Sequence, residues 1–506
     1  MVELVARDKA CEHPDKACHG DSCPLARGFY DRLPAARAEA LSQDRALDQP
    51  ALRTLALAHD ICPYYLGQEL TRWADVVVAD YNHWFDTSAM LFAMTLAQEW
   101  KVALLIDEAH NLLERARRMY SAELERSVLS KVRRGAPVAL TRAINRLARR
   151  WGELSPSVDN SQQLLSNVPL RFAAALQEAA AASTQHLAEH PTSVDQPLLD
   201  LHFELLRFAR LLDSFGDHSI FEVTRQSGTR RESMLAIRNI IPAPHLLRRF
   251  ATAETAVLFS ATLTPFTFHR DTLGLPADSA WLDVESPFDP RQLSIRIARH
   301  LSTRQRDRAT SLAPLADLMA GQFDADPGNY LAFFSSFEYL EQAAACMAER
   351  HPGVPIWQQS RGMGIAARDA FLGRFREDSR GIGFAVLGGT FGEGIDLPGR
   401  RLIGAFVATL GLPPPDALNE HLRQRMQAAF GNGYDYTYLF PGIQKVVQAV
   451  GRVIRNPTDR GVVHLVDDRF GRHDVRRLFP RWWQIDPGPL GAGSANRPGC
   501  VAVPRE

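Results

Sequence analysis

The chain has 506 residues, of which 45% are hydrophobic and 23% are charged, a composition that excludes a disordered or fibrous protein. Lysine plus arginine equals aspartate plus glutamate, at 58 each, so no overall positive charge indicates a nucleic-acid partner. The sequence has no run near the roughly 20 apolar residues of a membrane span, and its N-terminus lacks the apolar segment of a secretion signal. We therefore expect a cytoplasmic protein of roughly two to four domains with no membrane partner.

Four of the six cysteines lie within the first 62 residues. They are Cys11, Cys18, Cys23 and Cys62. Clustered thiols in a cytoplasmic chain indicate a metal rather than disulfides. Their spacing lacks the paired C-x2-C of zinc ribbons, which favours ligation of an iron–sulfur cluster by four thiolates. From the residues alone, a cluster, a zinc ion and unligated thiols all remain open.

Two apolar runs follow, at 73–85 and 102–107, and they predict buried parallel strands on either side of a helical segment. The second run leads into Asp107-Glu108-Ala109-His110. At the carboxyl end of a parallel strand, nucleoside triphosphatases present an aspartate to Mg²⁺ and a neighbouring acid to the attacking water. Asp107 and Glu108 fit these two roles, with His110 as a coupling residue, whereas the plain alternative is a charged, solvated turn.

Tyr81 and Trp84 end the first apolar run, and their rings could stack on the bases of a single strand. The alternative is that both rings belong to the core. From about 112 to 230 the sequence is rich in Ala, Leu and Arg, without strand-like runs, and predicts a helical insertion. Within it, arginines recur at helical spacing, and their face either follows a nucleic-acid backbone or is simply solvated. These arginines are Arg142, Arg146, Arg149 and Arg150.

Strand-like runs return between 255 and 470, interleaved with helical segments, and predict a second doubly wound α/β unit. The Pro- and Asp-rich stretch 276–293 is the predicted seam between the two units. Residues 487–506 are predicted to form a flexible tail.

Three further stretches at predicted strand ends carry groups suited to phosphate chemistry. Ser260 and Thr262 follow the strand-like run at 255–259, and the glycine-rich turn 389–399 carries acidic groups. Along 448–461, three polar residues recur at helical spacing, so one helix face is expected to present them to one anionic ligand. These three are Gln448, Arg452 and Arg455. Singly, each stretch is explained equally well by a turn or a surface helix, but their order along the chain is the stronger signal.

In this order the motifs resemble those of the XPD/DinG family of superfamily 2 DNA helicases. DEAH at 107–110 is similar to motif II, SATL at 260–263 to motif III, GEGID at 392–396 to motif V and QAVGRVIR at 448–455 to motif VI. The cysteine-rich stretch resembles the iron–sulfur insertion of the family. The resemblance implies an α/β fold with two RecA-like motor domains, the first interrupted by a cluster domain and a helical arch.

The resemblance also implies domain bounds and site roles. The implied domains are a cluster domain at 1–70, motor domain 1 at 71–112 and 233–278, the arch at 113–232, motor domain 2 at 279–486 and the tail at 487–506. The implied activity is ATP-driven unwinding of DNA in DNA repair, with 5′ to 3′ movement of a monomer on single-stranded and forked DNA. The implied cofactors are Mg²⁺ and a 4Fe–4S cluster, with ATP as the substrate.

Carried over by position, the site residues of the family fall into four groups. Asp107 holds Mg²⁺, Glu108 activates water, and Arg452 and Arg455 reach the phosphates across from motor domain 2. The nucleotide also contacts His110, Gln448, Gly394 and Asp396. Ser260, Thr262 and Glu393 couple hydrolysis to the grip on DNA. The cluster is held by Cys11, Cys18, Cys23 and Cys62.

One family motif is absent. The sequence contains no G-x-x-x-x-G-K-[ST], whose backbone amides and Lys hold the phosphates, and none of its five lysines follows a glycine. We therefore expect that the chain lacks the opening strands of motor domain 1, through a misplaced start, a truncated gene or a split coding sequence. The DNA upstream of the codon for Met1 would distinguish these. Two other functions remain open, a non-catalytic module that binds single-stranded DNA and a nuclease built on Asp107 and Glu108.

Overall fold

A computed structural model describes residues 1–43, 46–154, 161–190, 195–225, 233–392 and 395–486. The predicted tail and the site residues Glu393 and Gly394 lie outside these ranges. Contacts divide the chain into two units, unit 1 at 1–162, 167–215 and 219–258, and unit 2 at 163–166, 216–218 and 259–506. The finer domain bounds stay a prediction. No helix in the described ranges is both long and apolar enough to cross a lipid bilayer.

Strands and helices alternate through both units. The strands are β1 (Val2–Leu4), β2 (Val77–Ala79), β3 (Ala103–Ile106), β4 (Ala122–Glu125), β5 (Gln162–Leu165), β6 (Ser219–Arg225), β7 (Ser233–Asn239), β8 (Thr255–Leu258), β9 (Leu293–Ile297), β10 (Asn329–Phe334), β11 (Ile356–Gln358), β12 (Gly381–Val386), β13 (Gly404–Ala408), β14 (Gly461–Leu465) and β15 (Ile485–Asp486). The helices are α1 (Arg7–Ala10), α2 (Phe29–Ser42), α3 (Gln49–Ala58), α4 (Pro63–Leu70), α5 (Asn82–Phe85), α6 (Met90–Gln98), α7 (Leu112–Met119), α8 (Arg126–Arg134), α9 (Val138–Gly152), α10 (Leu170–Glu189), α11 (Gln196–Asp213), α12 (Ala243–Thr252), α13 (Phe266–Leu273), α14 (Arg308–Ala325), α15 (Phe337–Arg350), α16 (Ile365–Leu372), α17 (Ala417–Phe430), α18 (Phe440–Val450) and α19 (His473–Arg476).

In unit 1, the first residues of the chain pair with the middle of the predicted 73–85 strand. β1 and β2 run parallel, with Val2 opposite Val77 and Leu4 opposite Ala79. The pair packs on α2, α3 and α4 through a shared apolar core that includes Leu33, Leu52 and Leu66. The prediction of one strand over 73–85 was wrong in its length, because a tight turn ends β2 at Ala79 and α5 begins at Asn82.

The strand before the DEAH motif pairs with the strand before Ser260. β3 and β8 run parallel, with Ile106 opposite Leu258. Ile106 is buried, but Leu105 keeps 74% of its surface exposed and Val257, opposite it, keeps 49%. The expectation of a strand buried throughout was therefore wrong for β3, which has only one strand neighbour in the described part of unit 1.

The insertion contains strands as well as helices. α9 buries an apolar stripe that ends at Trp151, whose indole donates to the hydroxyl of Ser233 at 2.9 Å. β4, β7 and β6 form an antiparallel sheet beside the helices. The expectation of a strand-free insertion was wrong because β4 alternates apolar and charged residues (AELE) and carries too little apolar sequence to be recognised as a strand.

Unit 2 is built on a parallel sheet, as the sequence predicts. The described strands follow the order β11-β12-β10-β13-β14-β9-β15. Its central strands, β10 and β13, are buried along their whole length, which is why they occur in the sequence as continuous apolar runs. α14 and α15 pack on the sheet through a core that includes Met319, Leu340, Phe334 and Phe384. The loop after β12 carries Asp396, and the turns after α18 carry Arg452 and Arg455.

Candidate functional site

The DEAH residues form a turn at the carboxyl end of β3. The backbone N–H of Glu108 donates to Asp107 Oδ1 at 2.7 Å, and Glu108 adopts a left-handed conformation with φ 46° and ψ 41°. Its carboxylate is exposed and lies 3.3 Å from Nδ1 of His110, whose side chain is buried. The structure therefore brings the three predicted residues of this motif together, with both carboxylates at the strand end where phosphate chemistry would use them.

Tyr81 contacts the same turn from the segment after β2. Its hydroxyl donates to the carbonyl oxygen of Asp107 at 2.5 Å and to that of Glu108 at 2.9 Å. Trp84 is buried, and its indole N–H lies 3.4 Å from the carbonyl oxygen of Arg249. Of the two alternatives for Trp84, the structure favours the core, because the indole is buried in unit 1.

Ser260 and Thr262 lie side by side in unit 2. Their hydroxyl oxygens are 3.4 Å apart, and the backbone N–H of Thr262 donates to Ser260 Oγ at 3.2 Å. Thr262 is buried. The two adjacent hydroxyls suit the predicted role of coupling ATP hydrolysis to DNA binding. Their contacts with nucleotide or DNA stay a prediction.

Arg452 and Arg455 both contact the segment that carries motif V. Arg452 Nη1 donates to the carbonyl oxygen of Ile395 at 2.9 Å, and Arg455 Nη2 donates to the same oxygen at 3.1 Å. Arg455 Nε also lies 3.5 Å from Oδ1 of Asp396. Two guanidinium groups therefore converge on one backbone carbonyl, beside a carboxylate that is exposed. Such a pair of cations can bind a phosphate if the contacts to the loop are exchanged for it.

The predicted helix through 448–461 was wrong beyond its first residues. Gln448 lies half-buried on α18, but this helix ends at Val450 and Gly451 follows as its cap. Arg452 and Arg455 belong to the turns after the helix, where Val453 and Ile454 fill the core between them. The arginines therefore meet through loop geometry rather than through one helix face.

Asp459 fixes this loop and was missed by the sequence reasoning. Its Oδ2 accepts the backbone N–H groups of Arg455 at 2.7 Å and Asn456 at 3.0 Å. Its Oδ1 accepts the N–H of Gly399, at the end of the motif V segment, at 3.2 Å. One buried carboxylate thus joins the two motifs. The sequence Asn-Pro-Thr-Asp gave a signal, because Asn and Asp in turns bind nearby backbone groups.

The four clustered cysteines are free thiols. Burial raises the pKa of the Cys62 thiol, N–H groups of Tyr65 and Tyr64 oppose this rise, and the thiols of Cys11 and Cys23 raise the pKa further. Cys18 accepts a hydrogen bond from Arg7 at 3.6 Å. In the ranges that the structure describes, no three His, Cys, Asp or Glu side chains are arranged to hold a metal ion.

The arginines of α9 face away from its apolar stripe. Two of them are engaged in ion pairs, Arg146 with Glu178 at 2.6 Å and Arg150 with Glu153 at 2.7 Å. Arg142 is exposed. The prediction that this face follows a nucleic-acid backbone is not tested by these contacts.

Two family models match the chain. A model described as DEAD_2 matches residues 3–129, and one described as Helicase C-terminal domain matches residues 320–486. The first match includes the cysteines and the DEAH turn, and the second includes both arginines and Asp459.

Curated relatives and solved structures agree with these models. ATP-dependent helicase DinG of Mycobacterium tuberculosis is 32% identical over 267 residues, which cover 50% of this chain and 39% of that protein. ATP-dependent DNA helicase XPD of Sulfolobus acidocaldarius is 22% identical over 479 residues, covering 92% of this chain and 82% of that protein. A structure titled XPD_Helicase covers 94% of this chain and 84% of its own, with a TM-score of 0.59 at 20% identity, which shows the fold. Together these matches support an XPD/DinG-family superfamily 2 helicase.

Proposed function

We propose that the chain acts as an ATP-dependent DNA helicase that moves 5′ to 3′ on single-stranded DNA and unwinds forked duplexes. The observation that carries the proposal is the DEAH turn, which presents an exposed Glu108 carboxylate next to Asp107 at the end of β3. Relatives named ATP-dependent DNA helicases support it. We extend the proposal to a cytoplasmic monomer, for which only the sequence gives support.

In this proposal each carboxylate has one task. Asp107 would hold Mg²⁺, which would supply positive charge beside the phosphates. Glu108 accepts a proton from the attacking water, and His110 holds the Glu108 carboxylate from a buried position. Arg452 and Arg455 leave the carbonyl of Ile395 and neutralise the charge that develops on the transferred phosphoryl group.

The cysteines complete the proposal. Four thiols with backbone N–H donors near Cys62 fit the chemistry of an iron–sulfur cluster, because such donors stabilise thiolates. We propose that Cys11, Cys18, Cys23 and Cys62 hold a 4Fe–4S cluster. When bound, the cluster links the turn-rich segment before α2 to the start of α4 and contributes its binding energy to folding.

The experiment is ATP hydrolysis measured with and without single-stranded DNA. The 506 residues contain no G-x-x-x-x-G-K-[ST], so we expect little hydrolysis from them alone and a gain when a segment with this loop is supplied. In the active protein, Glu108→Gln should lower turnover by about 10²- to 10⁴-fold and leave ATP binding nearly unchanged, because it removes the base and keeps the shape.

Glu114→Gln is the matched control, since Glu114 is an exposed carboxylate that pairs with Arg117 on α7. Hydrolysis that survives Glu108→Gln would contradict the proposed role of the DEAH turn. Robust hydrolysis by the 506 residues alone would show that other residues hold the phosphates. Single-stranded DNA binding without hydrolysis, even with the loop supplied, would favour the alternative of a non-catalytic binding module.

A further inference from the structure

Tyr81 lies between β2 and α5, and its hydroxyl contacts the backbone of the DEAH turn. The distances to the carbonyl oxygens of Asp107 and Glu108 are 2.5 and 2.9 Å. We propose that Tyr81 is a positioning residue, whose hydroxyl holds the DEAH backbone in the conformation that presents both carboxylates. This inference rests on the proposed function, since it assigns the use of the turn to ATP hydrolysis.

The turn requires such a contact because its backbone is unfavourable by itself. Glu108 has φ 46° and ψ 41°, the left-handed region in which a side chain crowds the backbone. A residue of this kind persists only when its surroundings hold it there. Within the motif, the bond from the Glu108 N–H to Asp107 Oδ1 constrains one side of the peptide. The Tyr81 hydroxyl constrains the carbonyl oxygens on the other side.

Tyr81 is itself held rigidly, so it can impose a position. It is followed by α5, which is anchored by the buried ring of Phe85 against Phe250, with ring centroids 5.4 Å apart. The guanidinium of Arg115 lies 5.7 Å from the centroid of the Tyr81 ring and donates to Asp80 at 3.1 Å. The ring therefore has packing on its face and a fixed backbone behind it, which is what a positioning side chain needs.

Tyr81 also remains a hydrogen-bond donor across the working pH range. Burial raises the pKa of Tyr81 to about 12, Arg115 opposes the rise, and Asp107 and Glu108 add to it. The hydroxyl is therefore protonated throughout the pH range 6 to 9. Loss of the hydroxyl should act equally at every pH between 6 and 9, unlike loss of a titrating group.

The first test is hydrogen exchange in the full chain with Tyr81→Phe, which removes one oxygen and keeps the ring. Amides in the peptide from 104 to 113 should exchange roughly tenfold faster, because the hydrogen bond that the hydroxyl shares between the two carbonyl oxygens of the turn is lost. Tyr330→Phe is the matched control. Its hydroxyl donates to a backbone carbonyl in unit 2, that of Asp326 at 2.6 Å, and contacts neither α5 nor the DEAH turn. Unchanged exchange in Tyr81→Phe would overturn the inference.

The second test separates positioning from general stability. In the protein supplied with a phosphate-binding loop, Tyr81→Phe should lower kcat about tenfold or more and raise the Mg²⁺ concentration for half-maximal rate, with KM for ATP nearly unchanged. Affinity for single-stranded DNA should not change, because the ring is kept. Wild-type kcat and Mg²⁺ dependence would overturn the inference even if exchange is faster. If Glu108→Gln also retains full turnover, the proposed function fails, whereas if only Tyr81→Phe does, the inference alone fails.

Discussion

Replacing Asp459 by asparagine should loosen the loop that carries both arginines. The carboxylate accepts three backbone N–H groups, at 2.7, 3.0 and 3.2 Å, from Arg455, Asn456 and Gly399. An asparagine has one acceptor oxygen, so at least one buried N–H loses its partner and the remaining bonds lose their charge. With about 1.5–3 kcal/mol for a bond to a charged group and about 0.5–1.5 kcal/mol for a neutral one, we expect a loss of about 2–4 kcal/mol.

Hydrogen exchange with mass spectrometry measures this loss locally, because the three amides fall in two separate peptides, around 399 and around 455. A loss of about 2–4 kcal/mol corresponds to exchange faster by roughly 30- to 1,000-fold. Asp378→Asn is the control, since the Asp378 side chain is 85% exposed and its carboxylate makes only a long ion pair with Arg376, at 3.8 Å. Exchange rates within threefold of the wild-type rates at both peptides would refute the reasoning, because the carboxylate would then not hold the loop.

Three further predictions concern the cluster, DNA and pH. The purified chain should be brown, and replacing any one of the four clustered cysteines by serine should bleach it; a colourless chain with stoichiometric zinc would contradict the cluster. Affinity for single-stranded DNA should fall at least about tenfold between low and moderate salt. Arg142→Gln should also weaken this affinity. An affinity that does not depend on salt would exclude binding along the phosphate backbone of the DNA. Burial, and to a lesser degree Arg296, lowers the pKa of His464 to about 4. The contribution of the neutral His464 to the free energy of unfolding should therefore be fully present above pH 6.5. It should fall by up to about 3 kcal/mol as the pH decreases towards 4. His464→Gln, which keeps a donor for Gln322, should flatten this profile in denaturant titrations, and an unchanged slope would show that another group titrates.

The sequence predicts unit 2 better than unit 1 for a physical reason. β10 and β13 are buried on both faces, so burial requires continuous apolar residues that are visible in the sequence. β3 has an exposed Leu105, and β4 alternates charged residues with buried ones. A strand whose partners decide its burial carries a weaker pattern, so β4 could not be predicted from its sequence.

At the candidate site, the sequence identifies the reactive side chains but not the residues that hold them in position. Asp107 and Glu108 are found because a motif of adjacent residues ends an apolar run. Tyr81 lies 26 residues before Asp107, and Asp459 lies 60 residues after Gly399, so no local pattern links either residue to that distant partner. The family resemblance also leaves these two residues without a role.

The sequence by itself determined which reactive groups the protein has and their order along the chain, from the four clustered cysteines through DEAH to the two arginines. Only the tertiary structure decided that Glu108 is left-handed, that Tyr81 binds its carbonyl group, and that the guanidiniums of Arg452 and Arg455 converge on Ile395. The reason is that periodicity and motifs report local conformation and average burial. The partner of a hydroxyl, carboxylate or guanidinium is set by packing that brings distant segments together, because a buried polar group must be satisfied by whatever lies beside it.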